Sequence, residues 1–202
     1  MKSIPSLLMI LALAACASTH TLKESDRSAI STVAINPDIH VSPDLYYFGP
    51  GSTIGLLFGA VGGAATAAAN RAPADELKEF AKDNGISIAE IVRKQFVAQL
   101  LTTGKFRVSE DHPNAVFRLD ISQYGLSIPN GFSGSLVPIL SVHAELLNDK
   151  GEVVWATTGR VHPLSGVVDS VSPETLRANP QILRNMWTQA AQQAVLDMMQ
   201  TL

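Results

Sequence analysis

One cysteine occurs in the 202 residues, Cys16, and it stands at the end of an apolar run near the N-terminus. A chain with a single thiol closes no disulfide on itself, and one thiolate cannot supply the several sulfur ligands of a structural metal site. Whatever this sequence folds into must therefore be held by a buried apolar core. Hydrophobic residues make up 46% of the chain and charged residues 16%, enough apolar material for one domain with a real interior. The formal net charge is −3, with both signs interspersed, so no basic patch is available to neutralise phosphates and nucleic acid is excluded as a natural partner.

The first residues read as an export signal. Lys2 supplies a positive charge, Ile4 to Leu13 an apolar run too short to cross a bilayer, and Ala14-Ala15 the small residues before Cys16. Leu13-Ala14-Ala15-Cys16 resembles a bacterial lipobox, in which the signal (residues 1–15) is cut away and the new N-terminal cysteine is acylated. Cys16 is thus the expected lipidation site, and several acyl chains on one residue give stable anchoring where one chain is marginal. Ala17-Ser18 follow the cysteine where an aspartate does not. By similarity with enterobacterial lipoproteins, this implies the outer membrane, with the body facing the periplasm. Residues 16–28 are small, polar and charged, and are expected to be a tether; residues 29–202 are expected to form one periplasmic domain.

Within that domain the hydrophobic period changes along the chain. Ile30 to Ile35 alternates and stops at Asn36-Pro37, a first strand. Pro73 with its neighbouring acids predicts a helix start, ending at Asn84-Gly85. Ser87 and Glu90 form a capping box; Ile88, Ile91, Val92, Phe96 and Leu100 share one face, and Gly104 ends the helix. Short Phe106-Arg107-Val108 precedes Val116 to Ser122, where Phe117, Leu119 and Ile121 point inward. Leu136 to Leu147 and Glu152 to Val161 flank the turn tetrapeptide Asn148-Asp149-Lys150-Gly151, an antiparallel hairpin. Residues 162–178 read as loop with a helical turn after Pro173. Asn179-Pro180 then opens a terminal helix with Leu183, Trp187, Ala190, Ala194 and Met198 on one side. Strand, helices, strands and a last helix predict an α+β fold, one sheet with helices on one face.

Residues 49–70 stand apart. No charge occurs between Asp44 and Arg71, and Gly51, Gly55, Gly59 and Gly63 recur every fourth residue. In a helix each glycine costs roughly 1 kcal/mol relative to alanine, so unpacked glycines would forfeit several kcal/mol. Their spacing places them along one slowly drifting face, a smooth groove for a second helix backbone. The expected occupant is this domain, another copy of the chain, or a neighbouring helix in a membrane.

Catalytic motifs fail on spacing or context. Gly49 to Gly55 has one residue too many for a dinucleotide fingerprint, and the helix that follows leads into another helix. Gly131-Phe132-Ser133-Gly134-Ser135 departs from a nucleophile elbow at its last position and lies between strands. His20, His40, His112, His143 and His162 are scattered without ligand spacing, so no metal or cofactor is expected. His143 and Glu145 share a strand face, as do Arg118, Asp120 and Ser122; both sets read as an exposed polar strip.

Taken together, Ile30 to Pro37, Leu100 to Glu110, Asn114 to Leu119 and the hairpin His143 to Trp155 carry a family resemblance. They resemble the periplasmic lipoprotein fold shared by curli-secretion lipoproteins, penicillin-binding-protein activator lipoproteins and the amino-terminal domain of the Tol-system propeller protein. The resemblance covers about two-thirds of the chain beyond the signal. The sequence departs from it in placing the glycine segment between the first strand and the first long helix. The resemblance implies a non-enzymatic accessory or scaffold for an envelope protein complex. A self-associating, membrane-active lipoprotein using residues 49–70 is the alternative.

Overall fold

The sheet is assembled around the long strand β5 (Ala115–Ser127). The computed structural model describes residues 19–50, 59–166 and 168–202, with 59–70 by backbone alone. Cys16, Gly51 and Gly55 lie outside the described residues. Along β5 the side chains alternate, with Phe117, Leu119 and Ile121 buried and Arg118 and Ser122 exposed. That period of two is what a strand with one covered face requires. Strands β6 (Val137–Asn148) and β7 (Val153–Val161) follow as an antiparallel meander. Its tight turn is closed by Asn148, whose side-chain oxygen accepts from the backbone N–H groups of Lys150 (3.0 Å) and Glu152 (2.9 Å).

On its other side β5 is paired by three short pieces in succession. These are β1 (Thr32–Ile35), β2 (His40–Val41) and β3 (Tyr46–Phe48), all parallel to it. Proline has no N–H for a ladder, and Pro37 and Pro43 fall in the two gaps, which explains why one edge is delivered as three fragments. Strand β4 (Arg107–Val108) adds to β1, also parallel. The result is a mixed sheet with helices, an α+β fold as the sequence predicts.

Two helices cover one face of the sheet. α3 (Ile88–Thr103) is capped by Ser87, whose hydroxyl accepts from Glu90 N–H at 3.3 Å, and it ends at Gly104 in the left-handed region. Its buried face is Ile88, Ile91, Val92, Phe96 and Leu100, the set expected from the sequence. α5 (Pro180–Met199) starts on Asn179, whose side chain accepts from Gln181 N–H at 3.0 Å. Phe117 sits at the centre of the core, edge-on to Phe96 (5.0 Å), Phe106 (6.2 Å) and Trp155 (5.8 Å). Such edge-to-face pairs add about 0.5–1.5 kcal/mol each beyond the area they bury. Trp155 is fully buried and donates its indole N–H to the Thr201 carbonyl (3.0 Å), joining the chain's end to β7.

Other expectations are corrected. Residues 20–28 are not a free tether. His20 makes a two-hydrogen-bond antiparallel bridge to Ala156 on the outer edge of β7, Leu22 is buried, and α1 (Glu24–Ala29) follows. Leu22 and Ile30 are the apolar anchors that pull this polar stretch onto the body, and Arg27 donates to the terminal Leu202 carbonyl. The helix expected to start at Pro73 instead passes through it: α2 runs Gly59–Asp83 with Pro73 inside. The alanine-rich residues upstream are strong helix formers and extend the helix in front of the proline. The turn after Pro173 is a short helix, α4 (Pro173–Ala178), capped by Ser172.

Candidate functional site

The face of the sheet away from α3 and α5 carries cross-strand rows of polar side chains, fixed by strand register. The first row is Arg118, Glu145 and Ala156 on β5, β6 and β7. The second is His40, Asp120, His143 and Thr158, spanning β2, β5, β6 and β7. Directly opposite residues sit about 4.5–5.5 Å apart at Cβ, so polar groups on a row meet.

The two rows are joined by hydrogen bonds. Arg118 donates from Nε (3.1 Å) and from Nη2 to Oε2 of Glu145. Nε2 of His143 lies 3.3 Å from the other carboxylate oxygen, and its Nδ1 lies 3.1 Å from the Thr158 hydroxyl. An ionised carboxylate only accepts, so His143 donates from Nε2. Burial alone would raise the Glu145 pKa. The hydrogen bonds from Arg118 and His143, with their charges, outweigh that and hold it below the ordinary value. At the edge of the sheet His40 Nδ1 stands 2.6 Å from Asp120 Oδ2, a pair open to solvent.

A cleft of about 990 Å³ adjoins the rows where the loop after β2 and the strand β3 meet α2. Ser122, Ser141 and Arg160 form its sheet side, with Arg71, Asp75 and Lys78 opposite. Lys78 is already engaged, donating to the Pro43 carbonyl at 2.7 Å. Arg71, Lys78 and Arg160 share the lining with Asp44 and Asp75.

The strip expected to be exposed is thus half-buried at its centre, where His143 and Glu145 side chains keep 28% and 22% of their exposure. Sequence reading placed His143 and Glu145 together correctly. It did not find Thr158, or the pairing of His40 with Asp120, because both depend on register between distant strands. Among the described residues no group of three or more His, Cys, Asp and Glu side chains is placed to hold a metal ion. Gly59 and Gly63 fall in the first turns of α2, and among the described residues no helix is long and apolar enough to cross a membrane.

The sequence matches no family model, and no curated protein matches it. Among solved structures, protein XCC0632 from Xanthomonas campestris, of the DUF330 family, aligns with 55% of this chain at 16% identity and a TM-score of 0.40. That alignment spans 58% of the Xanthomonas chain. The PelC dodecamer from Paraburkholderia phytofirmans aligns with 88% of this chain and 92% of its own, at 15% identity and a TM-score of 0.34. Lipoprotein GNA1162 from Neisseria meningitidis covers 77% of this chain and 96% of its own, at 18% identity and a TM-score of 0.27. None of the three is a curli-secretion lipoprotein, a penicillin-binding-protein activator or a Tol propeller protein. At these scores the likenesses carry no statement about partner, assembly or activity.

Proposed function

We propose that the chain is a lipid-anchored envelope lipoprotein that acts without catalysis, as an accessory or scaffold presenting the polar sheet face to a protein partner. One observation carries this reading: the ionisable groups of the face are consumed by one another. Glu145 accepts from Arg118 and His143, both ring nitrogens of His143 are engaged by Glu145 and Thr158, and Asp120 is paired with His40. A general base or an activated nucleophile needs a free acceptor aimed at a substrate position. Here the Glu145 carboxylate and both His143 nitrogens already have partners, and the groups lie in rows along strands instead of converging on a point. A flat face of fixed, alternating charges suits a wet protein interface, where such groups set register and partner choice.

The test combines complementation with photocrosslinking in intact cells. A photoreactive residue at Arg118 or Thr158 is expected to give one dominant protein adduct, absent when the probe is at Lys150 in the turn beyond the sheet. Arg118→Glu should abolish both the adduct and complementation at normal protein abundance. His143→Ala with Glu145→Ala should leave the processed protein abundant and substantially functional. Complete loss of function in that double variant at normal abundance, with the adduct intact, would overturn the non-catalytic reading.

A further inference from the structure

The two ends of the sheet differ in chemistry. At the end where β5 and β7 begin, the connections carry Glu110 and Asp111 before β5 and Asp149, Lys150 and Glu152 beside the hairpin turn. At the other end, where β5 and β7 finish, no Asp, Glu, Lys or Arg occurs from Ile121 through Val142 or from Val161 through Val168. Instead two loops at that end each hold one bare apolar side chain. Phe132 is 99% exposed and Leu164 is 83% exposed.

These tips are built, not frayed. The Asn130 side chain accepts from Phe132 N–H (3.2 Å) and its carbonyl from Ser133 N–H (3.2 Å), while Ser135 N–H donates to Ser133 Oγ (3.0 Å). Leu164 occupies a tight turn with Pro163 before it, closed by Ser165 N–H on the His162 carbonyl (3.0 Å) and reinforced by the Ser165 hydroxyl (2.7 Å). The loops are joined by a bridge between Leu136 and Val171, with two hydrogen bonds of 2.8 and 2.9 Å. An isolated exposed leucine needs no explanation, but two apolar apices on hydrogen-bonded turns of bridged loops at one end do.

The N-terminal segment selects the occupant. The backbone at His20 pairs antiparallel with Ala156 and so, read toward its N-terminus, is directed at the carboxyl end of β7, the end that carries Phe132 and Leu164. Cys16 is four residues upstream. The geometry points to a membrane-facing end: Phe132 and Leu164 enter the interfacial layer of the bilayer in which the Cys16 lipid is seated, orienting the sheet with its charged turns away from the lipid. This inference rests on the lipoprotein reading above. An aromatic ring and a leucine at headgroup depth are what that layer favours.

The test uses the processed full chain purified from membranes and reconstituted in phosphatidylethanolamine and phosphatidylglycerol vesicles, with or without bromine-labelled acyl chains. Phe132→Trp and Leu164→Trp should each show at least about twofold quenching of the added emission by brominated lipid, as for a side chain at headgroup level. Lys150→Trp at the opposite end should show none, and the native tryptophans, both buried, serve as background. Acylation is read separately from the mass of the N-terminal peptide. An acylated, vesicle-bound protein whose introduced tryptophans at 132 and 164 are no more quenched than the one at 150 overturns the orientation and leaves the anchor standing. Quenching at 132 and 164 in a protein with an unmodified Cys16 supports the membrane-facing end and overturns the lipoprotein reading. Absence of both overturns both.

Discussion

Gly159→Ala tests the seat of α5 on β7 with a single methyl group. An ideal Cβ at Gly159 would lie 2.0 Å from the Ala194 carbonyl oxygen, 2.7 Å from its carbon and 2.9 Å from Met198 Cγ. The first distance is roughly 1.5 Å short of the ~3.5 Å at which non-bonded heavy atoms rest. The obstacle is helix backbone, and Ala194 is fully buried with Ala190, Ala191 and Val195 around it, so no side-chain rotation relieves the clash. Either α5 lifts from the sheet, loosening Trp187, Met198 and the Trp155 to Thr201 bond, or β7 bends. Overpacking ordinarily costs about 1–3 kcal/mol, and a backbone clash belongs at the upper end, about 3 kcal/mol. For a domain of this size each kcal/mol lowers Tm by roughly 2–4 °C, which gives a fall of about 6–12 °C. Thermal melts followed by circular dichroism read it. Gly134→Ala, where a Cβ meets nothing within 4 Å, is the control and should stay within about 0.5 kcal/mol of the parent. A Gly159→Ala melt within about 2 °C of the parent would refute the close approach of α5 to β7.

Two further substitutions address the polar rows and the N-terminal strap. Because the folded pKa of Glu145 lies below its unfolded value, its carboxylate stabilises the fold above the unfolded pKa, and that contribution disappears as pH falls through the folded pKa. Glu145→Gln should therefore cost about 0.5–1 kcal/mol at neutral pH, discounted for the exposure of Arg118, with the difference vanishing in acid. Urea midpoints across pH check it; a constant difference at all pH values would sink the charge argument. Leu22→Asp places a carboxylate at a buried position and should cost about 2–3 kcal/mol in urea denaturation, with early proteolysis near residues 20–29. Parental stability in that variant would mean the segment is not docked.

How much of this was legible in the sequence depends on whether the signal is local. The helix after Ser87 and the hairpin around Asn148 to Gly151 announce themselves, because a cap, a period and a turn residue fall within one short window. Strands β2 and β3 do not. Two or three residues show no period, and their pairing is dictated by the long β5 beside them. The course of α2 through Pro73 is hidden from a local reading, because a proline fits a first turn well and only the alanine-rich residues 59–70 ahead of it carry the helix through. In the candidate site, His143 and Glu145 are two residues apart on one strand and were visible as neighbours. The pair His40 and Asp120 is 80 residues apart in sequence, and only register joins it. Gly159 carries no local mark at all; its lack of a side chain matters only because Ala194 arrives from the last helix.

The bridge between His20 and Ala156 also sets a stand-off distance. Four residue steps separate Cys16 from His20, and a fully extended chain covers about 3.3–3.6 Å per step, so the lipid proposed for Cys16 would keep the edge of β7 within about 14 Å of its attachment point. On the proposed lipoprotein reading, a body held that closely would not sweep the compartment like a head on a long string. It would diffuse in two dimensions with the leaflet, meet membrane-bound neighbours at high local concentration, and stay out of reach of anything fixed in an opposing membrane unless that partner extended to the surface itself.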